Sequence, residues 1–170
     1  MKVIAVTGVH GSGKTTFVEN LRQHYTTIGK LVYVVEEVAR SCPYKLGTID
    51  AQRYIYHNQC KREEYAMKQD VDIVLLDRMR LDNLVYYNDL LVYGDYPNSE
   101  ALQWWEFYDE ATACMSMYDA VIRLPLNLEY LKADDPMRSK SVEYAKRIDF
   151  GFDVLVEPYV THHGTNFLSC

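Results

Sequence analysis

Residues 2–16 read KVIAVTGVHGSGKTT and carry the strongest structural signal in the chain. Lys2–Thr7 is an apolar, β-branched run of the kind that forms a strand buried on both faces. Gly8–Thr15 then satisfies the pattern G-x-x-x-x-G-K-[ST] without a mismatch. Over Lys14–Thr27 the apolar residues recur at helical spacing. A buried strand, a glycine-rich loop and an amphipathic helix in this order predict a phosphate-binding loop, or P-loop.

The chemistry of this loop follows from its residue types. Glycines let consecutive backbone N–H groups turn inward around phosphate oxygens, and the positive end of the following helix strengthens that field. Lys14 brings a point charge to the outer phosphates, and the Thr15 hydroxyl can ligate Mg²⁺. His10 stands at a variable position of the pattern, so we predict that it fills the loop and takes no catalytic role. ATP or a similar nucleotide is predicted to bind, with Mg²⁺, to these loop residues: Gly8, His10, Gly11, Ser12, Gly13, Lys14, Thr15 and Thr16.

The rest of the chain alternates between strand patterns and helix patterns. Further strands are predicted at Leu31–Glu36, Asp72–Asp77 and Ala120–Leu124, with a short fifth strand at Thr165–Ser169. Helices are predicted over residues 48–68, 81–93, 99–117 and 141–156. This alternation predicts an α/β fold, a P-loop NTPase three-layer α/β/α sandwich with a parallel, roughly five-stranded sheet. We expect one domain over residues 1–170, with a short lid at about residues 127–140.

Composition narrows the class of protein. The 170 residues carry a formal net charge of −6, which disfavours nucleic acid as a partner without excluding it. The apolar runs are far shorter than the ~20 residues that a membrane span needs, so no membrane association is expected. The four cysteines form no C-x-x-C pair and no secretory pattern begins the sequence, which predicts reduced thiols and a cytoplasmic location. The adjacent Trp104 and Trp105 are read as core or as an oligomer face, and a homodimer is left open.

Charged residues follow the second and third strands, where ligands bind in parallel α/β sheets. Asp77 can hold the Mg²⁺ shell, although an Asp at this position can instead cap the next helix. Arg78 can stabilise the transferring phosphoryl charge or form an ion pair with a neighbouring aspartate. Glu36 or Glu37 can orient and deprotonate an acceptor hydroxyl, or form a solvated acidic edge, and strand-end geometry favours Glu36. Arg40 can bind a charged group of the acceptor or pair with the glutamates.

Several motifs stand in a fixed order along the chain. They are VTGVHGSGKTT at the first turn, EEVAR after the second strand, LLDRMRLDNLVYY at the third and YDAVIRLP at the fourth. Gln52 and Gln59 lie in the helix between the second and third strands, and DDPMRS and Arg147 lie near the C-terminus. In this order the motifs resemble a family of small P-loop kinases, the AAA-type domain kinases typified by nicotinamide riboside kinase. The chain is also similar to the wider nucleoside and nucleotide kinase group, over almost its whole length.

The resemblance implies an ATP-dependent phosphotransferase and assigns roles by position. Glu36 or Glu37 would be the base, and Arg78 would lie between that acid and the phosphates. Arg138 and Arg147 would clamp the γ-phosphoryl group as the lid closes and excludes water. The predicted catalytic residues are Lys14, Glu36, Asp77, Arg78 and Arg138. The predicted acceptor-binding residues are Glu37, Arg40, Gln59, Arg62, Asp82 and Tyr86, with Tyr87 beside them.

The identity of the acceptor stays open, because the sequence departs from familiar patterns. Met79 stands where nucleoside kinases often have Ser, and the Pro and Gly of the thymidylate-kinase pattern are absent after the second strand. The leading hypothesis is phosphoryl transfer to a hydroxyl of a nucleoside-like small molecule. A second hypothesis takes a nucleotide phosphate, or a hydroxyl on DNA or RNA, as the acceptor. A third is a nucleotide-dependent regulatory ATPase or switch that acts through a protein partner.

Overall fold

The computed structural model of the chain describes residues 1–131, 139 and 141–160, and it contains a parallel sheet with helices on both faces. The strands are β1 (Lys2–Thr7), β2 (Val32–Val35), β3 (Ile73–Asp77) and β4 (Ala120–Arg123). Their order in the sheet is β2-β3-β1-β4, and every neighbouring pair is parallel. The α-helices of the described residues are α1 (Lys14–Thr27), α2 (Ile49–Ala66), α3 (Arg80–Tyr93), α4 (Asn98–Ala113), α5 (Leu128–Leu131) and α6 (Val142–Leu155). The predicted fold class is confirmed.

The sheet has four strands within the described residues, where about five were predicted. Each of the four agrees with a predicted strand to within one residue at either end. The predicted fifth strand, Thr165–Ser169, lies outside the described residues. So does most of the predicted lid at 127–140, whose first residues form the short helix α5. The single domain over residues 1–170 stays a prediction.

Both faces of the sheet carry apolar side chains. Successive side chains of a strand point to opposite faces, so a continuous apolar strand contributes to both. Ile4 and Val6 of β1 belong to a core cluster that also holds apolar residues of α1. Val3 and Ala5 belong to a larger cluster with residues of α2, α3, α4 and α6. The central strands β1 and β3 are therefore covered on both sides, which explains their nearly continuous apolar sequences.

Two of the helices begin at residues whose hydroxyl groups cap them. The Thr48 hydroxyl accepts a hydrogen bond from the Ala51 N–H at 3.3 Å and starts α2. The Ser141 hydroxyl accepts one from the Tyr144 N–H at 3.2 Å and starts α6. The predicted helix over residues 99–117 was too long, because α4 ends at Ala113 and a separate 3-10 turn leads the chain into β4.

The strands end at one edge of the sheet, and this edge carries the residues that the sequence singled out. The P-loop follows β1, the two glutamates follow β2, and Arg78 follows β3 directly. Ligands of parallel α/β sheets bind outside this carboxyl edge. The fold therefore brings most of the predicted site residues into one region.

Candidate active site

The P-loop depends on backbone conformations that favour glycine. Gly8, Gly11 and Gly13 have φ values of 133°, 76° and 89°, which L side chains rarely adopt. A Cβ at Gly8 would lie 2.5 Å from the Leu124 carbonyl oxygen, so a side chain there would collide with the backbone that follows β4. The three glycines hold the loop in a shape in which backbone N–H groups can surround an anion.

Lys14 folds back over the loop that carries it. Its Nζ donates to the Val9 carbonyl oxygen at 2.7 Å and to the Ser12 hydroxyl at 3.2 Å. Burial lowers the pKa of Lys14 to about 7, and the nearby Arg78 guanidinium acts in the same direction. A buried ammonium held by uncharged oxygens gains strongly from an anion, so this position favours phosphate.

Thr15 and Asp77 meet beside the first turn of α1. The Thr15 hydroxyl donates to Asp77 Oδ2 at 2.7 Å. Asp77 Oδ1 is buried and has no hydrogen-bond partner among the described residues. Mg²⁺ prefers oxygen ligands and usually completes its shell with water and substrate phosphates. The pair therefore fits the predicted Mg²⁺ position, while the described part of the chain offers no cluster of three His, Cys, Asp or Glu for a metal.

Arg78 joins the P-loop to the ends of the strands. Its φ is 85°, a conformation that costs a non-glycine residue about 1–3 kcal/mol and clusters at functional sites. The guanidinium donates to Glu37 Oε1 at 2.6 Å, to the Gly8 carbonyl oxygen at 3.1 Å and to Asp82 Oδ2 at 3.3 Å. Its Cζ also lies 5.5 Å from the ring centroid of Tyr86. Partners from three segments fix this cation beside the P-loop.

The two glutamates after β2 lie on opposite sides of the chain. Glu37 is bonded to Arg78 and faces the cavity described below. Glu36 is exposed, lies in a separate groove on the outer side of β2, and its carbonyl oxygen accepts from Arg62 at 3.2 Å. Of the two glutamates, Glu37 and not the preferred Glu36 therefore lies in the cavity, and which of them acts on an acceptor stays a prediction. Val35 ends the strand facing the core, and side-chain alternation brings Glu37, not Glu36, back to that side.

The two carboxyls bonded to Arg78 differ in acidity. Burial by itself would raise the pKa of Glu37, but Arg78 outweighs it and holds that pKa at about 2. Asp82 is 1% exposed, and burial raises its pKa to about 6 in spite of Arg78. Asp82 Oδ1 also accepts from the Thr7 hydroxyl at 2.7 Å. Near neutral pH both carboxyls are ionised, so Arg78 is held between two negative charges.

A cavity of about 540 Å³ opens beside the P-loop, lined mainly by residues of α2, α3 and α6 and of the segment after β2. This volume suits a small organic ligand, and apolar walls with a few convergent polar groups are typical of such sites. The polar and charged residues of the wall include His10, Glu37, Arg40, Gln52, Gln59, Arg78, Asp82, Asn83, Tyr86, Asp89, Tyr144 and Arg147. The cavity thus meets the P-loop at His10 and Arg78.

The structure brings together most of the predicted acceptor-binding residues. Five of them line the cavity: Glu37, Arg40, Gln59, Asp82 and Tyr86. Arg62 lies in the outer groove beside β2, where its Nη2 donates to the Ser41 hydroxyl at 2.8 Å. Tyr87 is buried and donates to Glu100 Oε2 at 2.9 Å. Tyr87 points away from the cavity because it directly follows Tyr86, and adjacent positions on a helix face different directions.

Arg147 lies in the cavity wall, where it contacts α3. Its guanidinium forms a bidentate ion pair with Asp89 through Nε and Nη2. Its Cζ lies 4.2 Å from the ring centroid of Tyr93 and 5.3 Å from that of Tyr144. The predicted role of Arg147 at the γ-phosphoryl group stays a prediction, and Arg138 lies outside the described residues.

A buried network behind Arg78 was not predicted from the sequence. Glu63 and Arg80, 0% and 2% exposed, form an ion pair at 2.7 Å, and the Tyr118 hydroxyl donates to the same carboxylate at 2.8 Å. Gln59 Nε2 donates to Glu63 Oε1 at 2.9 Å and to the Arg78 carbonyl oxygen at 3.0 Å. The network supports the turn between β3 and α3 in which Arg78 lies. A Glu and an Arg on separate helices leave no local sequence signal for such a pair.

Other wall residues were also missed. Asn83 Nδ2 donates to the Gln52 carbonyl oxygen at 2.7 Å, which links α3 to α2 across the cavity wall. Gln52 was noted as a motif residue but was not predicted as a site residue. Asp82, Tyr86 and Asp89 follow one another at intervals of four and three residues, which places them on one face of α3. From that spacing, Asp89 could have been predicted from the sequence as a residue of the same site.

Comparisons with known proteins agree with the observed architecture. A family model described as an AAA domain matches residues 3–162. The deoxyadenosine kinase of M. mycoides with bound dATP is similar in structure, with a TM-score of 0.68 and 18% identity over 90% of this chain and 82% of that chain. The same kinase with the products dCMP and a flexible dCDP gives a TM-score of 0.66 and 19% identity, over 89% and 81%.

A third structure of that kinase, with bound dCTP, gives a TM-score of 0.65 and 16% identity, over 89% of this chain and 81% of that chain. No curated protein matches the sequence. At these identities the structural likeness shows a shared fold, and the site must be argued from its own residues.

Proposed function

The chain belongs to the AAA domain family, and we propose that within this family it is an ATP- and Mg²⁺-dependent kinase. It transfers the γ-phosphoryl group of ATP to a hydroxyl of a nucleoside-like small molecule. The Glu37–Arg78 pair carries this proposal, because it joins the cavity wall to the P-loop. Arg78 donates both to the Glu37 carboxylate and to the Gly8 carbonyl oxygen, so an acceptor hydroxyl beside Glu37 lies next to phosphates on the loop.

The reaction requires positioning and charge stabilisation more than covalent chemistry from the protein. The P-loop N–H groups and Lys14 bind the phosphates, and Arg78 stabilises the charge of the transferring group. Thr15 and Asp77 would hold Mg²⁺, which when bound supplies positive charge to the phosphates. The acceptor oxygen forms a bond to the γ-phosphorus as the bond to the β–γ bridging oxygen breaks. As that bond forms, the acceptor proton passes to the Glu37 carboxylate, which releases it to solvent, and ADP leaves.

Glu37 contributes mainly by orienting the acceptor hydroxyl. A carboxylate whose pKa is about 2 is ionised throughout the working range but is a weak base. The loose transition state of phosphoryl transfer needs little deprotonation of the attacking oxygen, so a weak base that accepts a well-aligned hydrogen bond is sufficient. Arg78 holds Glu37 in the charged form that this hydrogen bond requires.

The charges of the cavity wall favour an uncharged acceptor. Ion pairs join Glu37 to Arg78 and Arg40, Asp82 to Arg78, and Asp89 to Arg147. A phosphate-bearing acceptor would have to separate one of these guanidinium groups from its carboxylate, whereas a nucleoside leaves the pairs intact. This observation favours a nucleoside over a nucleotide phosphate, and the net charge of −6 disfavours DNA or RNA.

The similar solved structures support the same choice. They belong to an enzyme named deoxyadenosine kinase, with dATP, dCTP or the products dCMP and dCDP bound. Their likeness to this chain is one of fold, so the substrate of that enzyme comes to this chain as a proposal. The cavity of about 540 Å³ has room for a nucleoside beside the P-loop.

The proposal is tested by transfer of labelled γ-phosphate from Mg·ATP to a panel of acceptors. The panel holds nucleosides, deoxynucleosides, nicotinamide riboside, nucleoside monophosphates and short oligonucleotides, and the Lys14→Ala variant is the control. We expect labelling of a nucleoside or deoxynucleoside by the wild-type protein and none by the variant. Labelling of monophosphates or oligonucleotides alone would favour the second hypothesis. Tight ATP binding without any labelled acceptor would favour a regulatory ATPase.

The activity is expected to fall as the pH decreases through about 6, because protonation of Asp82 removes one of the two carboxylates that hold Arg78. The pKa of Asp82 is raised, so its ionised form is present above about pH 6 and is lost below it. The measurement is kcat between pH 5 and pH 8 for the wild type and Asp82→Asn, with circular dichroism to establish that both stay folded. Asp82→Asn should have a lower kcat than the wild type, and its kcat should not fall further as the pH decreases through about 6. An unchanged acid limb in the variant would contradict this assignment.

We also propose a cytoplasmic location, which the free thiols of Cys42, Cys60 and Cys114 support. Within the described ranges, no helix combines the length and apolar character that crossing a membrane requires. The homodimer stays a prediction. Trp104 is 5% exposed and packs in the core while Trp105 is 55% exposed, so of the two tryptophans Trp105 is the one available to a partner.

A further inference from the structure

His10 belongs both to the P-loop and to the wall of the cavity. Its backbone N–H donates to the Tyr86 hydroxyl at 3.0 Å, and its Nδ1 lies 3.3 Å from the same oxygen. A phenol oxygen can accept the first bond and donate its own hydrogen to Nδ1. One hydroxyl of α3 thus holds both the main chain and the side chain of a P-loop residue.

The His10 ring also lies between two tyrosines of the wall. Its centroid is 6.1 Å from that of Tyr86 on α3 and 5.4 Å from that of Tyr144 on α6. All three side chains line the cavity, and His10 is only 8% exposed. A ligand that fills the part of the cavity beside the P-loop therefore touches the rings that hold His10.

A second contact links the same tyrosine to the P-loop. The Arg78 guanidinium lies over the Tyr86 ring and donates to the Gly8 carbonyl oxygen. Two positions of the P-loop, Gly8 and His10, are thus held from the cavity side, one through Arg78 and one through Tyr86. The P-loop and the cavity wall share their supporting contacts.

We propose that His10 and Tyr86 are positioning residues that couple the two sites. Acceptor binding strengthens nucleotide binding, and by reciprocity nucleotide binding strengthens acceptor binding. The physical cause is ordering. An acceptor that packs on Tyr86 and Tyr144 fixes the rings around His10, so nucleotide binding has less of the P-loop left to order. The inference rests on the proposed function, and a coupling of about tenfold lies within the usual range.

The test measures ADP affinity by titration calorimetry, with and without each nucleoside and deoxynucleoside of the transfer panel at saturation. The wild type is expected to bind ADP about tenfold more tightly with the acceptor that it phosphorylates. Tyr86→Phe keeps the ring but deletes the hydroxyl, and His10→Ala deletes the ring. Each single variant should reduce the ratio of the ADP affinities with and without the acceptor to below about twofold. The double variant should give the same ratio, because the two substitutions act on one contact.

Two further variants separate coupling from general effects on the fold. His10→Asn can place an amide oxygen near the position of Nδ1, so it should keep more of the coupling than His10→Ala. Tyr108→Phe removes the hydroxyl of a partly buried tyrosine that packs on the core from α4, and it should keep the full ratio. A purely structural loss would lower stability without changing the ratio of the two ADP affinities.

The inference is overturned if the ratio stays near tenfold in Tyr86→Phe and His10→Ala, or if it is near one in the wild type. The phosphoryl-transfer assay on the same samples tells the two failures apart. Transfer to a nucleoside or deoxynucleoside with a wild-type ratio near one contradicts the coupling alone. Absence of transfer to every nucleoside and deoxynucleoside of the panel, with no effect of any of them on ADP affinity, contradicts the proposed function and the coupling together.

Discussion

Replacing Glu37 with Gln is expected to lower kcat by about 10²-fold, the lower end of the range for a positioned acid–base group, because Glu37 mainly orients the acceptor hydroxyl. The amide keeps the size of the side chain but removes the charge that orients the acceptor hydroxyl and pairs with Arg78 at 2.6 Å. ADP affinity should change little, because Lys14 and the P-loop backbone remain. The measurement combines initial rates of phosphoryl transfer with calorimetric titration of ADP.

The chain offers a matched control in the adjacent residue. Glu36→Gln makes the same chemical change on an exposed side chain outside the cavity, and it should leave kcat within about twofold of the wild type. If Glu36→Gln were the slow variant and Glu37→Gln the active one, the original preference for Glu36 would be restored and the assignment of the cavity would be wrong.

Replacing Glu63 with Ala is expected to destabilise the protein by about 3–5 kcal/mol, because it leaves the Arg80 charge buried without its partner. Arg80 Nη2 already lacks a hydrogen-bond partner among the described residues, so this guanidinium depends strongly on Glu63. A loss of this size lowers the melting temperature by on the order of 10 °C for a chain of this length. Thermal unfolding measures the melting temperature, and urea unfolding measures the free energy of unfolding.

Glu64→Ala is the control, since Glu64 is the exposed neighbour on the same helix and should cost little. The double variant Glu63→Leu/Arg80→Met removes both buried charges, so it should be more stable than Glu63→Ala. Equal stability of Glu63→Ala and Glu64→Ala would show that the buried pair does not support the fold. The phosphoryl-transfer rate of any folded Glu63 variant then reports whether the network also positions Arg78.

Much of the fold could be predicted because its signals are local. A strand buried on both faces shows a continuous apolar run, and a loop that needs positive φ shows glycines, so β1 and the P-loop follow directly from residues 2–16. The same reasoning located β3 and placed Asp77 at its end, beside Thr15. The family resemblance stated from the motifs is confirmed by the match to an AAA domain.

The rest of the site depends on contacts between distant segments. To choose between Glu36 and Glu37, one has to know which side of the chain each side chain faces after β2. A two-residue motif does not specify this. The positive φ of Arg78 has no signal in an arginine, and it aims the guanidinium at partners 41 and 70 residues away in the sequence. His10 was predicted to fill the loop beside the nucleotide, and its link to the cavity was missed because the Tyr86 hydroxyl that holds it belongs to another helix.

The most direct measurement is a crystal structure of the protein with a non-hydrolysable ATP analogue, Mg²⁺ and the deoxynucleoside that the transfer assay selects. We predict the triphosphate on the P-loop and the nucleoside in the cavity. The acceptor hydroxyl should lie about 2.6–3.2 Å from a Glu37 carboxylate oxygen, next to the γ-phosphate. A nucleoside bound elsewhere, or a hydroxyl that approaches the γ-phosphate without contacting Glu37, would contradict the proposed site.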